Sequence, residues 1–327
     1  MGLRRGGTGL ALAALLLAAG CSGGAADGPG QQSAGPAGPT SSAAPTPSAP
    51  AGPYVALGDS YTSGLKVPPQ GGTPAGCYRS GANYPSLVAA GLGLAGDAFR
   101  DVSCSSARAG ELARPQHTPD GTNPPQLDAL SPATRLVTVG IGGNDAGFME
   151  VVTHCARESL LHTLSSPGPG DAAVTASACR ASYAATGGGP DEVERRVAAA
   201  GEKVAAVLAE IRRRSPSARL YVVGYPALLP SDPARCRAAL GEGIALPDIA
   251  FLTEKMDQLN EMLRARAAAA GAVFVDTAAV SAGHDMCAGE SQRWVEPVAA
   301  ASGAAPLHPN ARGERGMAEA VLSAVRR

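Results

Sequence analysis

From Tyr54 onward the chain alternates short apolar runs with longer stretches in which apolar residues recur every three or four positions. The runs Tyr54-Val55-Ala56-Leu57-Gly58, Phe99 to Ser103, Leu136 to Val139, Leu220 to Val223 and Val273 to Val275 predict five strands. Between them lie helical patterns. Asn83 to Leu94 carries Tyr84, Leu87, Val88 and Leu92 at helical spacing. A longer helix begins at Asp191 with Glu194 in capping-box position, sets Val193, Val197, Val204, Val207, Leu208 and Ile211 on one stripe, and ends before Pro216. Another runs from about Asp248 to Ala270 and stops at Gly271, and a last spans about Ala311 to Val325. Short apolar strands separated by amphipathic helices pair in parallel, with helices covering both faces. The expected fold is α/β: a three-layer α/β/α sandwich with a central parallel sheet of about five strands, in one domain over residues 53–327. Pro68 to Cys77 and Leu160 to Gly189 are Gly/Pro/Ser-rich interruptions, expected as lids or rims around a site, with surface decoration the alternative.

The preceding residues read differently. Arg4 and Arg5 form a basic start, Leu10 to Ala19 an apolar stretch too short to span a bilayer, and small residues lead into Cys21. Residues 1–20 are therefore expected to be a signal peptide of lipoprotein type, with Cys21 as the lipidated residue. The match has one flaw: Ala18 stands three before the cysteine, where leucine is preferred, and Leu17 comes one place early. Ordinary secretion is the alternative. Residues 21–52 are almost wholly Ser, Gly, Ala, Pro, Thr and Gln, with Asp27 the single charge, and suit a disordered tether holding a domain clear of the membrane.

Charge narrows the function class. With 27 basic and 28 acidic residues and a net charge of -1, there is no basic excess to attract nucleic acid. Seven cysteines occur; with Cys21 taken by lipid, six remain, an even number that reads as three disulfides in an exported chain. Fifteen pairings are open. The sequential one (Cys77-Cys104, Cys155-Cys179, Cys236-Cys287) is preferred, because each bond closes a loop inserted between regular elements. The cysteines lack the close spacing of a metal site, and neither metal nor organic cofactor is expected.

Open parallel sheets place chemistry beyond the carboxyl ends of their strands. Those positions hold Asp59 and Ser60 after the first strand, Ser105 and Ser106 after the second and Gly142-Gly143-Asn144-Asp145 after the third, with His308 before the last helix. A hydroxyl, an imidazole and hydrogen-bond donors are the parts of a serine esterase. With Gly58-Asp59-Ser60, Gly143-Asn144-Asp145 and His308 the sequence resembles the SGNH, or GDSL, hydrolase family. Tyr54 to Gly64, Cys77-Tyr-Arg-Ser80, Asn83-Tyr84-Pro85, Asp101-Val-Ser-Cys104 and Gly283-His-Asp-Met-Cys287 resemble its actinobacterial secreted lipases and esterases. That resemblance implies Ser60 as nucleophile, His308 as base, Asn144 as an oxyanion donor and three disulfides in sequential order. The Ser60 N–H, at the expected start of a helix, is expected to be a further oxyanion donor. No Gly-x-Ser-x-Gly elbow points to the ordinary α/β-hydrolase class.

Two positions depart from the family pattern. Where the second block offers a glycine N–H to the oxyanion, this chain has Ser106, whose amide serves if its torsions are open to a residue with a Cβ. Where an aspartate stands three before the histidine, this chain has Ala305. The simplest expectation is a Ser60-His308 dyad whose Nδ1 proton goes to the Ala305 main-chain carbonyl; a carboxylate from the preceding loop, Asp285 or Glu296, is the alternative. The expected function is hydrolysis of acyl lipids or of short- to medium-chain esters through an acyl-enzyme, by a monomer exported to the outer face of the membrane. Carbohydrate acetylesterase and phospholipase A are alternatives within the enzyme class. A noncatalytic surface lipoprotein binding lipid or glycan is the alternative outside it.

Overall fold

The structure, a computed structural model, describes residues 52–165, 177–240, 245–300 and 302–327. The expected signal segment, Cys21 and all but the last residue of the tether lie outside the described residues, as does the middle of the segment from Leu160 to Gly189. All five expected strands form: β1 (Tyr54–Gly58), β2 (Phe99–Asp101), β3 (Leu136–Gly140), β4 (Arg219–Val223) and β5 (Val273–Val275). They make one parallel sheet in the order β2-β1-β3-β4-β5. β1 and β3 are buried along their whole length, and their register pairs Tyr54 with Leu136 and Gly58 with Gly140.

The two-residue period of the strands divides the core into two layers. Val55, Leu57, Val137, Val139, Leu220 and Val222 face one side, with α4 (Glu192–Arg214) and α5 (Leu246–Ala269) packed over them through Val204, Leu208, Leu259 and Leu263. Tyr54, Ala56, Leu136, Tyr221 and Val223 face the other, under α2 (Tyr84–Gly91) and α6 (Ala311–Val325), which contribute Val88, Met317 and Val321. The expected three-layer α/β/α sandwich is what forms. Completing the main helices are the single turn α1 (Ser60–Ser63), directly after β1, and α3 (Phe148–Ser165), after β3.

Local rules explain most boundaries. Asp191 and Glu194 make the expected reciprocal capping box at the start of α4. The next long helix starts two residues earlier than expected, with Pro247 in its first turn. Asp248 is buried there and takes hydrogen bonds from Ser159, Ser177 and the Cys179 amide. The three disulfides are Cys77–Cys104, Cys155–Cys179 and Cys236–Cys287. The first ties the loop before α2 to the loop after β2. The last ties the loop after β4 to the long loop between β5 and α6.

That long loop carries His308 and is held by backbone pairing rather than by regular structure. Glu296 N donates to His308 O at 3.0 Å, Leu307 N to Glu296 O at 2.9 Å, and Asn310 N to Trp294 O at 2.8 Å. Trp294 lies so close to α6 that a Cβ at Gly316 would stand 2.2 Å from its ring. His284 stacks on the same indole, with ring centroids 4.6 Å apart.

Candidate active site

The order β2-β1-β3 means that the chain leaves β1 toward one side of the sheet and later returns on the other. Such a switch point opens a crevice at the carboxyl ends of the strands. Ser60 and Asn144 both line a cleft at that point. Asp59 caps the single turn α1, its side chain accepting the Tyr61 amide at 3.0 Å, so Ser60 sits at a helix start with its own N–H outside the helical hydrogen bonds. Gln126 fixes the strand end beneath it: its amide accepts from Gly58 N at 2.8 Å and donates to Gly58 O at 2.9 Å.

His308 Nε2 lies 2.9 Å from Ser60 Oγ, across 248 residues of sequence. Nδ1 lies 2.8 Å from Pro306 O. A carbonyl can only accept, so Nδ1 carries the proton and Nε2 presents its lone pair to the serine hydroxyl. This corrects the expectation that the Ala305 carbonyl orients the ring. Ala305 to His308 is a turn closed by His308 N donating to Ala305 O at 3.3 Å, with Pro306 in its second position and Leu307 at φ 62 in its third. The turn consumes the Ala305 carbonyl and leaves that of Pro306 facing the imidazole. A leucine at positive φ is strained, and two bonds hold it: Tyr61 OH donates to Leu307 O at 2.6 Å, and Leu307 N is taken by Glu296 O. The Tyr61 ring also lies against the imidazole, with centroids 4.8 Å apart.

Neither alternative carboxylate serves the histidine. Asp285 accepts from Cys287 N at 3.0 Å and faces Arg235 at 3.9 Å. Glu296 accepts from Asn310 Nδ2 at 2.8 Å and faces Arg293 at 3.7 Å. Burial pushes the His308 pKa below the ordinary imidazole value, and the Pro306 carbonyl only partly offsets this. The predicted consequence is an imidazole that titrates below pH 6.5, with kcat/KM level through neutrality and falling along with that ionisation on the acid side. Following the His308 Cε1–H proton resonance against pH measures it. A midpoint above 7 would reveal a carboxylate partner and reject the carbonyl-supported ring.

The expected oxyanion donors sit on neighbouring turns. Asn144 Nδ2 donates one hydrogen to Ala107 O at 3.0 Å, which fixes the amide plane and leaves the second hydrogen available. Ser106 is exposed and has φ 66, so it does adopt the left-handed conformation that glycine fills more readily. Its neighbours spend their amides on Cys77 O and Cys104 O, whereas the Ser106 N–H has no acceptor among the described residues. Ser105 is structural, its hydroxyl 2.8 Å from that of Ser63. The cleft wall beside Ser60 is apolar, made by Phe148, Met149, Met256 and Leu259.

Sequence reading missed Tyr61, Gln126, Pro306 and Tyr225. Tyr225 donates to Asp59 Oδ2 at 2.6 Å and accepts from Gly143 N at 2.8 Å. Burial pushes the Asp59 carboxyl up to about 7, against the pull of these hydrogen bonds from Tyr225 and Tyr61. Only Tyr225 had a usable signal, since it follows the carboxyl end of β4 as Asp59 follows that of β1. Among the described residues the carboxylates of Asp191, Glu194 and Glu254 converge, but Lys255 Nζ lies among them at 2.6, 3.2 and 2.9 Å and occupies the place of a cation.

Comparison with known proteins gives the family and the fold. The profile of the GDSL-like Lipase/Acylhydrolase family matches residues 56–315. The chain is 37% identical over 283 residues to Lipase 2 of Streptomyces coelicolor, covering 86% of this chain and 88% of the relative. It resembles the crystal structure of an extracellular lipase from Streptomyces rimosus with TM-score 0.64 and 29% identity, over 83% of this chain and 98% of that one. It also resembles phospholipase A1 from Streptomyces albidoflavus, with TM-score 0.59 and 27% identity, over 86% of this chain and all of the other. A serine and an imidazole paired at the switch point of a parallel α/β sheet thus sit in a chain that belongs to the GDSL-like Lipase/Acylhydrolase family and is a carboxylic ester hydrolase.

Proposed function

We propose that the protein cleaves carboxylic esters through a covalent acyl-enzyme on Ser60, with His308 as the only side-chain base. The observation that carries this is the 2.9 Å contact between Ser60 Oγ and an imidazole whose other nitrogen is committed to a carbonyl. Ser60 Oγ attacks the ester carbonyl carbon while His308 Nε2 takes the hydroxyl proton. Ser60 N–H, Ser106 N–H and the free Asn144 amide hydrogen stabilise the oxyanion. The carbon–oxygen bond to the alcohol breaks as His308 returns the proton to the leaving oxygen. Water then attacks the acyl-enzyme, giving up a proton to His308, and the carboxylic acid departs as Ser60 recovers its hydrogen. With a carbonyl in place of a carboxylate, the imidazolium formed in each half-reaction is stabilised less, so the oxyanion donors carry a larger share of catalysis.

The apolar wall of Phe148, Met149, Met256 and Leu259 around a cleft of about 20 Å³ supports a small acyl group as the part bound beside Ser60. A second reading, a phospholipid substrate, draws on a separate cleft of about 580 Å³, which shares no lining residue with the first and where Arg108, Arg114 and Lys203 stand in the wall with Asp145, Glu111 and Glu210. We propose further that the protein is exported, in keeping with its extracellular Streptomyces relative. Cys21 is its lipid anchor, residues 21–52 the tether and 53–327 the catalytic domain, acting as a monomer with ester or lipid as its partner. The test uses a fluorescent alkyl phosphonate fluoride, followed by peptide mapping and by release of fatty acid from p-nitrophenyl esters and phosphatidylcholine vesicles. One phosphonate per chain on Ser60, with parallel loss of hydrolysis, is the expected result. Unlabelled, fully folded protein would instead support a lipid- or glycan-binding lipoprotein.

A further inference from the structure

We infer that Tyr225 is a positioning residue for the oxyanion site: its hydroxyl, held between Asp59 and the Gly143 amide, sets Asn144 relative to Ser60. The inference rests on the roles proposed above for Ser60 and Asn144. Asp59 immediately precedes Ser60, Gly143 immediately precedes Asn144, and Tyr225 lies just past β4, so one phenol ties together the turns at the ends of three adjacent strands. Within the sheet those strands are held by their backbone ladders. Beyond the strand ends the ladders stop, and side chains must set the spacing of the turns.

Each bond has a definite direction. The phenol has one hydrogen, and Asp59 Oδ2 at 2.6 Å receives it, while the oxygen takes the Gly143 N–H at 2.8 Å. Tyr225 itself cannot tilt freely. Asn260 grips its backbone on both sides, accepting from Tyr225 N and donating to Tyr225 O, each at 2.9 Å, and the ring meets the edge of Tyr61 with centroids 5.0 Å apart. Nothing separates the phenol from the chain at Gly143: a Cβ there would lie 3.0 Å from the Tyr225 Cζ and hydroxyl oxygen. The turn it touches is stiff, with Ala146 N on Gly142 O and Phe148 N on Gly143 O, both at 3.0 Å. A shift of Gly143 therefore carries Asn144 with it, and an oxyanion donor is sensitive to displacements well under 1 Å.

The test is a cycle of Y225F, N144A and the double variant, measured on p-nitrophenyl butyrate with folding checked by circular dichroism and thermal unfolding. Y225F removes the hydroxyl and keeps the ring. It is expected to lower kcat about tenfold with KM within about twofold, because the misplaced donor acts on the transition state alone. In the N144A background the same change is expected to cost less than about twofold, because the group it positions is gone. Wild-type kcat in folded Y225F would overturn the inference, and so would an equal tenfold loss in both backgrounds, which would mean that Tyr225 acts through something other than Asn144. If Y225F does not fold, D59N takes its place: it keeps the side-chain volume and an oxygen for the Tyr61 amide, and the same loss confined to kcat and dependent on Asn144 is expected. An N144A variant with unchanged kcat would remove the oxyanion reading itself, whereas a normal N144A loss with an additive Y225F effect would remove only the role of Tyr225.

Discussion

Replacing Ser60 by alanine is expected to lower kcat/KM by about 10⁴-fold or more on any ester the protein cleaves, with H308A falling to a similar residual rate. The two side chains form one unit: without the hydroxyl there is nothing to acylate, and without the imidazole nothing takes its proton as the bond forms. The double variant S60A/H308A should therefore lose little beyond either single change. Folding is expected to survive. The Ser60 hydroxyl makes one hydrogen bond, to His308, and the net worth of such a bond is about 1 kcal/mol. The measurement is kcat/KM on a short-chain p-nitrophenyl ester, with circular dichroism and thermal unfolding as controls. Hydrolysis persisting in purified, folded S60A would sink the nucleophile assignment; multiplicative losses in the double variant would show that the two residues do not act as a unit.

N144A is expected to lower kcat by about 10²- to 10³-fold, or about 3 to 4 kcal/mol of transition-state stabilisation, while KM moves little. The physical reason is timing. In the ground state the ester oxygen is neutral and gains little from an additional amide hydrogen, whereas the tetrahedral intermediate places negative charge in a cleft walled by apolar side chains. Asn144 is preorganised for this by its bond to Ala107 O, so the second hydrogen requires no reorientation as charge develops. Comparing kcat and KM for N144A with wild type separates the outcomes. A rise in KM at constant kcat would make Asn144 a substrate-binding residue and remove it from the oxyanion site.

The alternation of short apolar strands with amphipathic helices was enough to imply a parallel sheet covered on both faces, because a strand such as β1, buried on both sides, is apolar along nearly its whole length. Ser60, Asn144 and His308 were also legible as candidates, since each stands at a strand end or before a helix and carries a side chain whose chemistry is distinctive. The even cysteine count implied three disulfides and the preferred sequential pairing is the one that forms, although Cys77–Cys104 and Cys236–Cys287 enclose regular elements rather than single loops. The sequence could nominate candidates to orient His308 but could not choose among them. Every residue has a carbonyl, so residue type says nothing about which one faces an imidazole. That choice was made by the turn at Ala305 to His308, which spends one carbonyl internally and presents the next. Likewise Asp285 and Glu296 are near His308 in sequence, yet Cys287, Arg235, Asn310 and Arg293 draw their oxygens elsewhere. Tyr225 stood among ordinary strand-end residues until the order β1-β3-β4 brought its hydroxyl between Asp59 and Gly143, 166 and 82 residues away in the chain. Local pattern and side-chain chemistry therefore determined the elements and the candidate reacting groups of this protein, whereas the tertiary structure decided how those groups are oriented, because orientation depends on hydrogen bonds between segments that only strand order brings together.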